Sequence, residues 1–252
     1  MNTTYHLMIQ KNRWDGNMES LKVIIKTRED DEEIVKEYEY TGDLNIPVTT
    51  LLEKINYTLD TKIHYSSSCL QGLCGSCAML INGWPKLACE TFVDELVMTK
   101  YFHKITIEPL SKFPIIKDLV VDRTVLYDNM KKAEQWLDDD AKINPDSIAF
   151  EYEVSQCLMC GCCLESCPHY NVEDDFMGVI LPVSSSKITS QETSEDKLDF
   201  HKRMYEKHFY KNCVKSLVCE DVCPMGIATQ RAISRMNSLS VRYIYHLFKE
   251  EE

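Results

Sequence analysis

The chain has 252 residues, 44% hydrophobic and 27% charged, with a formal charge of −12. That is enough length for one large or two modest domains, and the ordinary soluble composition excludes a disordered, collagen-like or fibrous chain. The acidic excess runs through both halves, so nucleic acid and anionic lipid headgroups are repelled at long range.

The longest uncharged apolar stretch, residues 176–183, falls far short of the roughly 18 to 20 residues of a membrane-spanning helix. Residues 1–15 lack the basic and apolar regions of a secretory signal. The expectation is a cytoplasmic protein, peripheral on the cytoplasmic face of the cell membrane if a protein partner holds it there.

Leu21, Val23 and Ile25 alternate with polar residues and predict a strand, with residues 37–40 as its partner. The acidic run 29–33 between them reads as a solvated turn rather than a docking patch. Thr50 and Glu53 have capping-box spacing before Leu51, Leu52, Ile55 and Leu59, which share a helical face. Asn82-Gly83 predicts a hairpin between residues 78–81 and 84–88, and residues 104–108 predict a last strand. Pro114 is expected to end the strand region.

Asp122 is expected to cap a helix in which Leu126, Met130, Ala133 and Leu137 recur, up to an exposed Asp138-Asp139-Asp140 run. Residues 184–196 read as a loop. Two further helices are expected near 198–210 and 229–248, the second with Ile233, Met236, Leu239 and Tyr243 along one face. The expected class is α+β: a mixed domain over residues 1–110, its cysteine loop between helix and hairpin, and a helical domain over 111–252.

Twelve cysteines in a chain that is neither short nor visibly exported point to thiolate metal ligands rather than disulfides. Cys69, Cys74 and Cys77 with the later Cys89 have the plant-type spacing for a [2Fe–2S] cluster. A zinc site is the alternative, but zinc sites favour paired C-x2-C units. Gly72 and Gly75 are expected to let the backbone fold around the cluster and aim N–H groups at sulfur.

Cys157, Cys160, Cys163 and Cys167, followed by Pro168, match the bacterial ferredoxin run, whose fourth cysteine serves a neighbouring cluster. The neighbour is Cys213, Cys219 and Cys223, followed by Pro224, with Ser216 where a middle cysteine would stand. Counting ligands assigns Cys157, Cys160, Cys163 and Cys223 to a [4Fe–4S] cluster. Cys167, Cys213 and Cys219 are left for a [3Fe–4S] cluster, or for a four-iron cluster if Ser216 also ligates iron. Cys162 reads as a small buried hydrophobe rather than a redox thiol.

Glycine-rich dinucleotide, phosphate-binding and acyl-transfer motifs are missing. The chain therefore carries no visible catalytic residues, and three clusters imply an electron donor and acceptor on other subunits.

Residues 68–83 (Ser68-Cys69-Leu70-Gln71-Gly72-Leu73-Cys74-Gly75-Ser76-Cys77 onward), Asp118 to Arg123, and both later cysteine runs resemble the iron–sulfur subunit of succinate dehydrogenase and fumarate reductase. The resemblance implies an N-terminal β-grasp ferredoxin domain and a helical domain like a bacterial ferredoxin. It implies that the [2Fe–2S] site faces a flavoprotein bearing covalent FAD, where succinate and fumarate interconvert. It also implies that the [3Fe–4S] site lies nearest a quinone-binding membrane anchor.

Val172 and Val214 stand where members that bind ubiquinone at this subunit carry Trp and His. The wording around Cys160 and Asp118 is closer to members paired with a dihaem cytochrome b, holding haem b, and menaquinone. A fumarate reductase fed by a soluble donor is the alternative.

Overall fold

A computed structural model describes residues 20–29, 32–59, 61–97, 104–138 and 140–247. The class is α+β, with a β-grasp-like sheet half followed by a helical half. Strands β1 (Leu21–Glu29), β2 (Glu32–Tyr40), β3 (Ala78–Ile81), β4 (Trp84–Leu87) and β5 (Lys104–Glu108) form one sheet in the order β2-β1-β5-β3-β4. β1 runs parallel to β5, and the other pairs are antiparallel.

The alternation read in β1 is the reason: Leu21, Val23 and Ile25 are buried with Ile105 and Ile107, while Lys22 reaches Glu37 across the exposed face at 2.6 Å. Asn82 and Gly83 both take left-handed backbone, as the β3–β4 turn requires. The Asn82 N–H donates to Thr106 O and its Oδ1 accepts from Thr106 N, locking the hairpin onto β5. Of the acidic run expected as a turn, Glu29 ends β1 and Glu32 and Glu33 begin β2, because the strand pairing extends to Glu29 opposite Glu32; Asp30 and Asp31 lie outside the described residues.

Helix α1 (Val48–Thr58) packs Leu51, Leu52 and Ile55 onto the sheet. It begins two residues before the expected capping box, and neither Thr50 nor Glu53 caps it. The first helical N–H groups are satisfied by neighbouring backbone instead: Val48 N donates to Thr91 O (2.9 Å) and Thr49 N to Ala88 O (3.2 Å). Leu59, expected on the apolar face, lies just past the last turn and is exposed. A short helix α2 (Val93–Val97) follows β4.

Pro114 does not end the strands. It opens a small hairpin, β6 (Ile115–Lys117) and β7 (Val120–Val121), with Asp118 in left-handed backbone at its turn. Asp118 ties this hairpin to the sheet half. Its carboxylate accepts from the His64 N–H (3.0 Å) and meets His64 Nδ1 (2.7 Å), and its carbonyl accepts from Thr27 Oγ1 (2.8 Å).

The helical half holds α3 (Thr124–Lys132), α4 (Ile148–Ser155), α5 (Cys162–Glu165), α6 (Ile180–Gln191), α7 (Glu195–Tyr205), α8 (Val218–Asp221) and α9 (Thr229–Leu247). α7 continues into a π-helical turn, Glu206–Tyr210. Asp122 accepts from the Thr124 N–H and hydroxyl as a start signal should. α3 stops at Lys132, before the expected Leu137, because Glu134 takes left-handed backbone and turns the chain. Asp139 lies outside the described residues, as do Phe248 and the Tyr243 side chain.

The expected loop at 184–196 is mostly helix, α6. Its polar sequence is deceptive because Ser185, Ser186 and Thr189 are buried. Ser186 Oγ and Thr189 Oγ1 donate back to Val183 O and Ser185 O, so hydroxyls take the place of a hydrophobic stripe at the centre of the bundle. Small side chains let α6 lie close to α9 and α4.

One apolar core runs through both halves, from Val23 and Ile107 through Leu110, Phe113 and Leu119 to Leu164, Tyr170, Phe209 and Met236. At the crossing, the buried Glu165 carboxylate accepts from Ser111 Oγ (2.6 Å) and the Lys112 N–H (3.1 Å). Glu165→Ala leaves the Ser111 hydroxyl and the Lys112 N–H without this acceptor. The expected loss is about 1–3 kcal/mol, which lowers the thermal midpoint by about 2–4 °C per kcal/mol for a protein of this size. A melting curve matching the unsubstituted protein would contradict this role.

Candidate metal centres

Cys89 of the first group follows β4, and Cys69, Cys74 and Cys77 lie on the loop between α1 and β3. Leu70, Gly72 and Gly75 take left-handed backbone there, which curls the loop inward. Its N–H groups point at sulfur: Leu73 N to Cys69 Sγ at 3.2 Å, Gly72 N to Cys89 Sγ at 3.2 Å, Gln71 N to Cys69 Sγ at 3.5 Å. The Cys77 thiol donates to Cys89 Sγ at 3.3 Å, and Cys74 Sγ lies 3.0 Å from Ser76 Oγ. Hydrogen bonds from Ser76 pull the Cys74 thiol down to about 6, while burial and then Cys77 push Cys89 up to about 12.

Gly75 has a second use besides curling the loop. A Cβ there would stand 2.8 Å from Cys160 Cβ and 3.0 Å from Leu158 O, so this glycine lets the first cysteine loop touch the second.

The second loop is curled by left-handed Met159 and Gly161 and runs into α5. Burial, then the charges of Cys160, Cys157, Cys219 and Cys223, raise the Cys163 thiol well above its ordinary value. Burial likewise raises Cys157, with Cys160 and Cys223 as its charged neighbours. Cys157, Cys160, Cys163 and Cys223 therefore lie near one another, with Cys219 also close to Cys163. Cys162, fully buried beside them, has its thiol pushed up by its hydrogen bond to Cys160, whose own thiol is lowered to about 7 by the same contact.

A third neighbourhood is a cavity lined by Cys163, Cys167, Cys213 and Cys219 together with Phe176, Phe209 and Ile233, so it adjoins the second group through Cys163. Burial raises Cys213 and Cys219, and each feels the charge of Cys167. Left-handed Lys215 and Leu217 wrap the chain around this cavity, and Ser216 sits among its lining residues. Cys219 Sγ also meets Thr229 Oγ1 at 3.4 Å. Lys112 Nζ donates to the Cys167 carbonyl, so a cation stands beside the chain where it passes between the second and third groups.

This donor set fits iron–sulfur clusters. At Cys89, Cys157, Cys163, Cys213 and Cys219 burial and neighbouring thiols penalise the thiolate form, the condition that cationic iron relieves. Among the described residues, no three His, Cys, Asp or Glu side chains converge on a single-ion position. Clusters instead spread their thiolates over several irons.

Sequence reasoning gave no role to Arg123. Its Nη1 donates to Gly75 O (2.7 Å) and Cys160 O (2.8 Å), and its Nη2 to Ser76 O (3.0 Å). The residues it joins lie 37 to 48 positions away along the chain, beyond the reach of any local pattern.

Residues 20–128 match a 2Fe-2S iron-sulfur cluster binding domain family, and residues 153–227 match a 4Fe-4S dicluster domain family. The chain is 30% identical over 213 residues to the fumarate reductase iron-sulfur subunit of Wolinella succinogenes, covering 79% of this chain and 86% of that one. It is 28% identical over 217 residues to the succinate dehydrogenase iron-sulfur subunit of Bacillus subtilis, covering 80% and 83%. A chain of the Mycobacterium smegmatis Sdh1 complex in the apo form shares the fold, with a TM-score of 0.76 at 19% identity over 90% of this chain and 98% of that one.

Gly75→Ala forces a side chain into left-handed backbone, at about 1–2 kcal/mol, and pushes the first loop off Leu158 and Cys160. The expected result is a lower thermal midpoint, read by calorimetry. An unchanged midpoint would show that the two loops do not abut in solution.

Proposed function

Because the chain belongs to the iron–sulfur electron-transfer subunits of the succinate dehydrogenase and fumarate reductase family, we propose that it links an FAD-bearing flavoprotein to a quinone-binding membrane anchor. The observation that supports the reading is that the fold brings the cysteine runs into adjoining places, with Cys163 and Cys219 where the second and third meet.

We assign Cys69, Cys74, Cys77 and Cys89 to a [2Fe–2S] cluster, and Cys157, Cys160, Cys163 and Cys223 to a [4Fe–4S] cluster. Cys167, Cys213 and Cys219 hold a [3Fe–4S] cluster in this reading, with Ser216 beside it but not ligating. When bound, the clusters supply one-electron carriers in series. The domain boundary drawn at residue 110 is part of the same reading, with the β6–β7 hairpin as the strap between halves.

The chain's own residues orient and tune. N–H groups of Gln71, Gly72 and Leu73 spread negative charge away from sulfur, which favours the reduced state of the first centre. Leu70 and Leu73, 60% and 61% exposed, rim that centre and offer an apolar contact to the flavoprotein.

At the other end Val214, 57% exposed, lies at the cavity of Cys213 and Cys219. A valine there has no hydrogen bond to give a quinone carbonyl, which supports quinone chemistry inside the anchor, with menaquinone and a dihaem cytochrome b. No described helix is long and apolar enough to cross a membrane, so attachment at the membrane falls to that partner. Val172 and Val214 also favour a second reading, in which a soluble donor replaces the anchor.

Gentle isolation of the native assembly, with its polypeptides identified by mass spectrometry, separates the two. A flavoprotein with a multi-helix hydrophobic protein is expected. A flavoprotein with soluble chains alone would overturn the anchor. Within the chain, Ser216→Cys is expected to add iron and to remove the paramagnetic signal of an oxidised three-iron centre. Persistence of that signal at full strength would contradict the assignment of the third site.

A further inference from the structure

Arg123 precedes α3 and reaches backward into the seam between the first two cysteine loops. Three hydrogen bonds hold its guanidinium: to Gly75 O and Ser76 O, between Cys74 and Cys77, and to Cys160 O, itself the carbonyl of a cysteine in the second group. The backbones beneath it are in contact, since only a glycine fits between residue 75 and Cys160. Guanidinium stays charged at every physiological pH, and its planar fork matches several acceptors at once where an ammonium presents a point charge.

We propose that Arg123 is the positioning residue of electron transfer between the first and second centres: its fork fixes their separation and its charge favours the reduced state of both. The step moves one electron from the reduced [2Fe–2S] centre to the oxidised [4Fe–4S] centre, or back, and breaks no bond. The flavoprotein and the third centre supply and remove that electron. Charge and hydrogen bonding near a cluster are recognised determinants of its potential. The inference rests on the ligand sets proposed above.

The experiment compares the native complex with Arg123→Gln and Arg123→Lys by iron and sulfide analysis and by potentiometric titration followed by electron paramagnetic resonance. Lys117→Gln, on the exposed face of β6, controls for the loss of one positive charge elsewhere. Arg123→Gln is expected to lower the midpoint potentials of both centres. Arg123→Lys is expected to lower them less, but to weaken the magnetic coupling between the two centres, because one ammonium cannot hold three carbonyls. Lys117→Gln is expected to move neither.

Fully loaded Arg123→Gln with unmoved potentials would overturn the proposal. Loss of iron in both Arg123 variants would also overturn it, by making the residue a structural clamp alone. A native complex lacking the [2Fe–2S] and [4Fe–4S] signals would overturn the ligand sets themselves, and this inference with them.

Discussion

Arg123 binds three carbonyls of the cysteine loops, one of which, Gly75 O, also accepts from the Ala78 N–H at 3.4 Å. A loop that gathers thiols around a small body must turn sharply, and it does so here through left-handed Leu70, Gly72, Gly75, Met159 and Gly161. Such turns break the repeating backbone ladder and leave carbonyls pointing outward. The guanidinium takes three carbonyls, two from one loop and one from the other, and so ties the two loops together. Desolvating the cation opposes this arrangement, and the short bonds to carbonyl dipoles offset that cost. Thiolates and clusters on either side would offset it further.

The same seam explains why two differently built halves share one core. Between β5 and α3 the chain lays Leu110 and Phe113 against the second cysteine loop, where a Cβ on Gly161 would stand 3.0 Å from the Phe113 ring. Phe113 also meets the Tyr170 ring at 6.1 Å. Beside it Glu165 takes Ser111 and Lys112 from the connecting strand. Apolar packing, a buried carboxylate and a guanidinium thus converge on residues 110–123. The connection that orients the halves is also the one that brings their cysteine loops together.

Farther from the seam, carboxylates hold the start of α9. Glu153 of α4 accepts from the Ala228 N–H at 2.8 Å, and Glu220 of α8 accepts from the Gln230 N–H at 2.8 Å. Negative groups at a helix N-terminus satisfy its unpaired donors and complement its dipole. α8 also carries Cys219, so this contact fixes a cysteine of the third cavity while it anchors the longest helix. At the opposite edge the buried Lys197 pairs with Glu134 (2.7 Å) and Asp138 (3.0 Å) beneath the Trp136 ring, pinning the segment after α3 to α7.

What could be read from the sequence was what local geometry enforces. Alternation in β1, the Asn82-Gly83 turn and the helical period of α9 each follow from rules that act over a few residues, and the structure carries these features. The α1 start, the continuation past Pro114 and the helical state of 184–191 escaped because distant groups decide them. Carbonyls of Ala88 and Thr91 begin α1, His64 and Thr27 hold the second hairpin, and burial turns a hydroxyl-rich stretch into a central helix. The sequence by itself determined which cysteines stand in short, closely spaced runs, since spacing is a property of the chain alone. Only the tertiary structure decided which loops touch and where the charge between them sits, because Arg123, Gly75 and Cys160 are joined by contacts that no periodicity encodes.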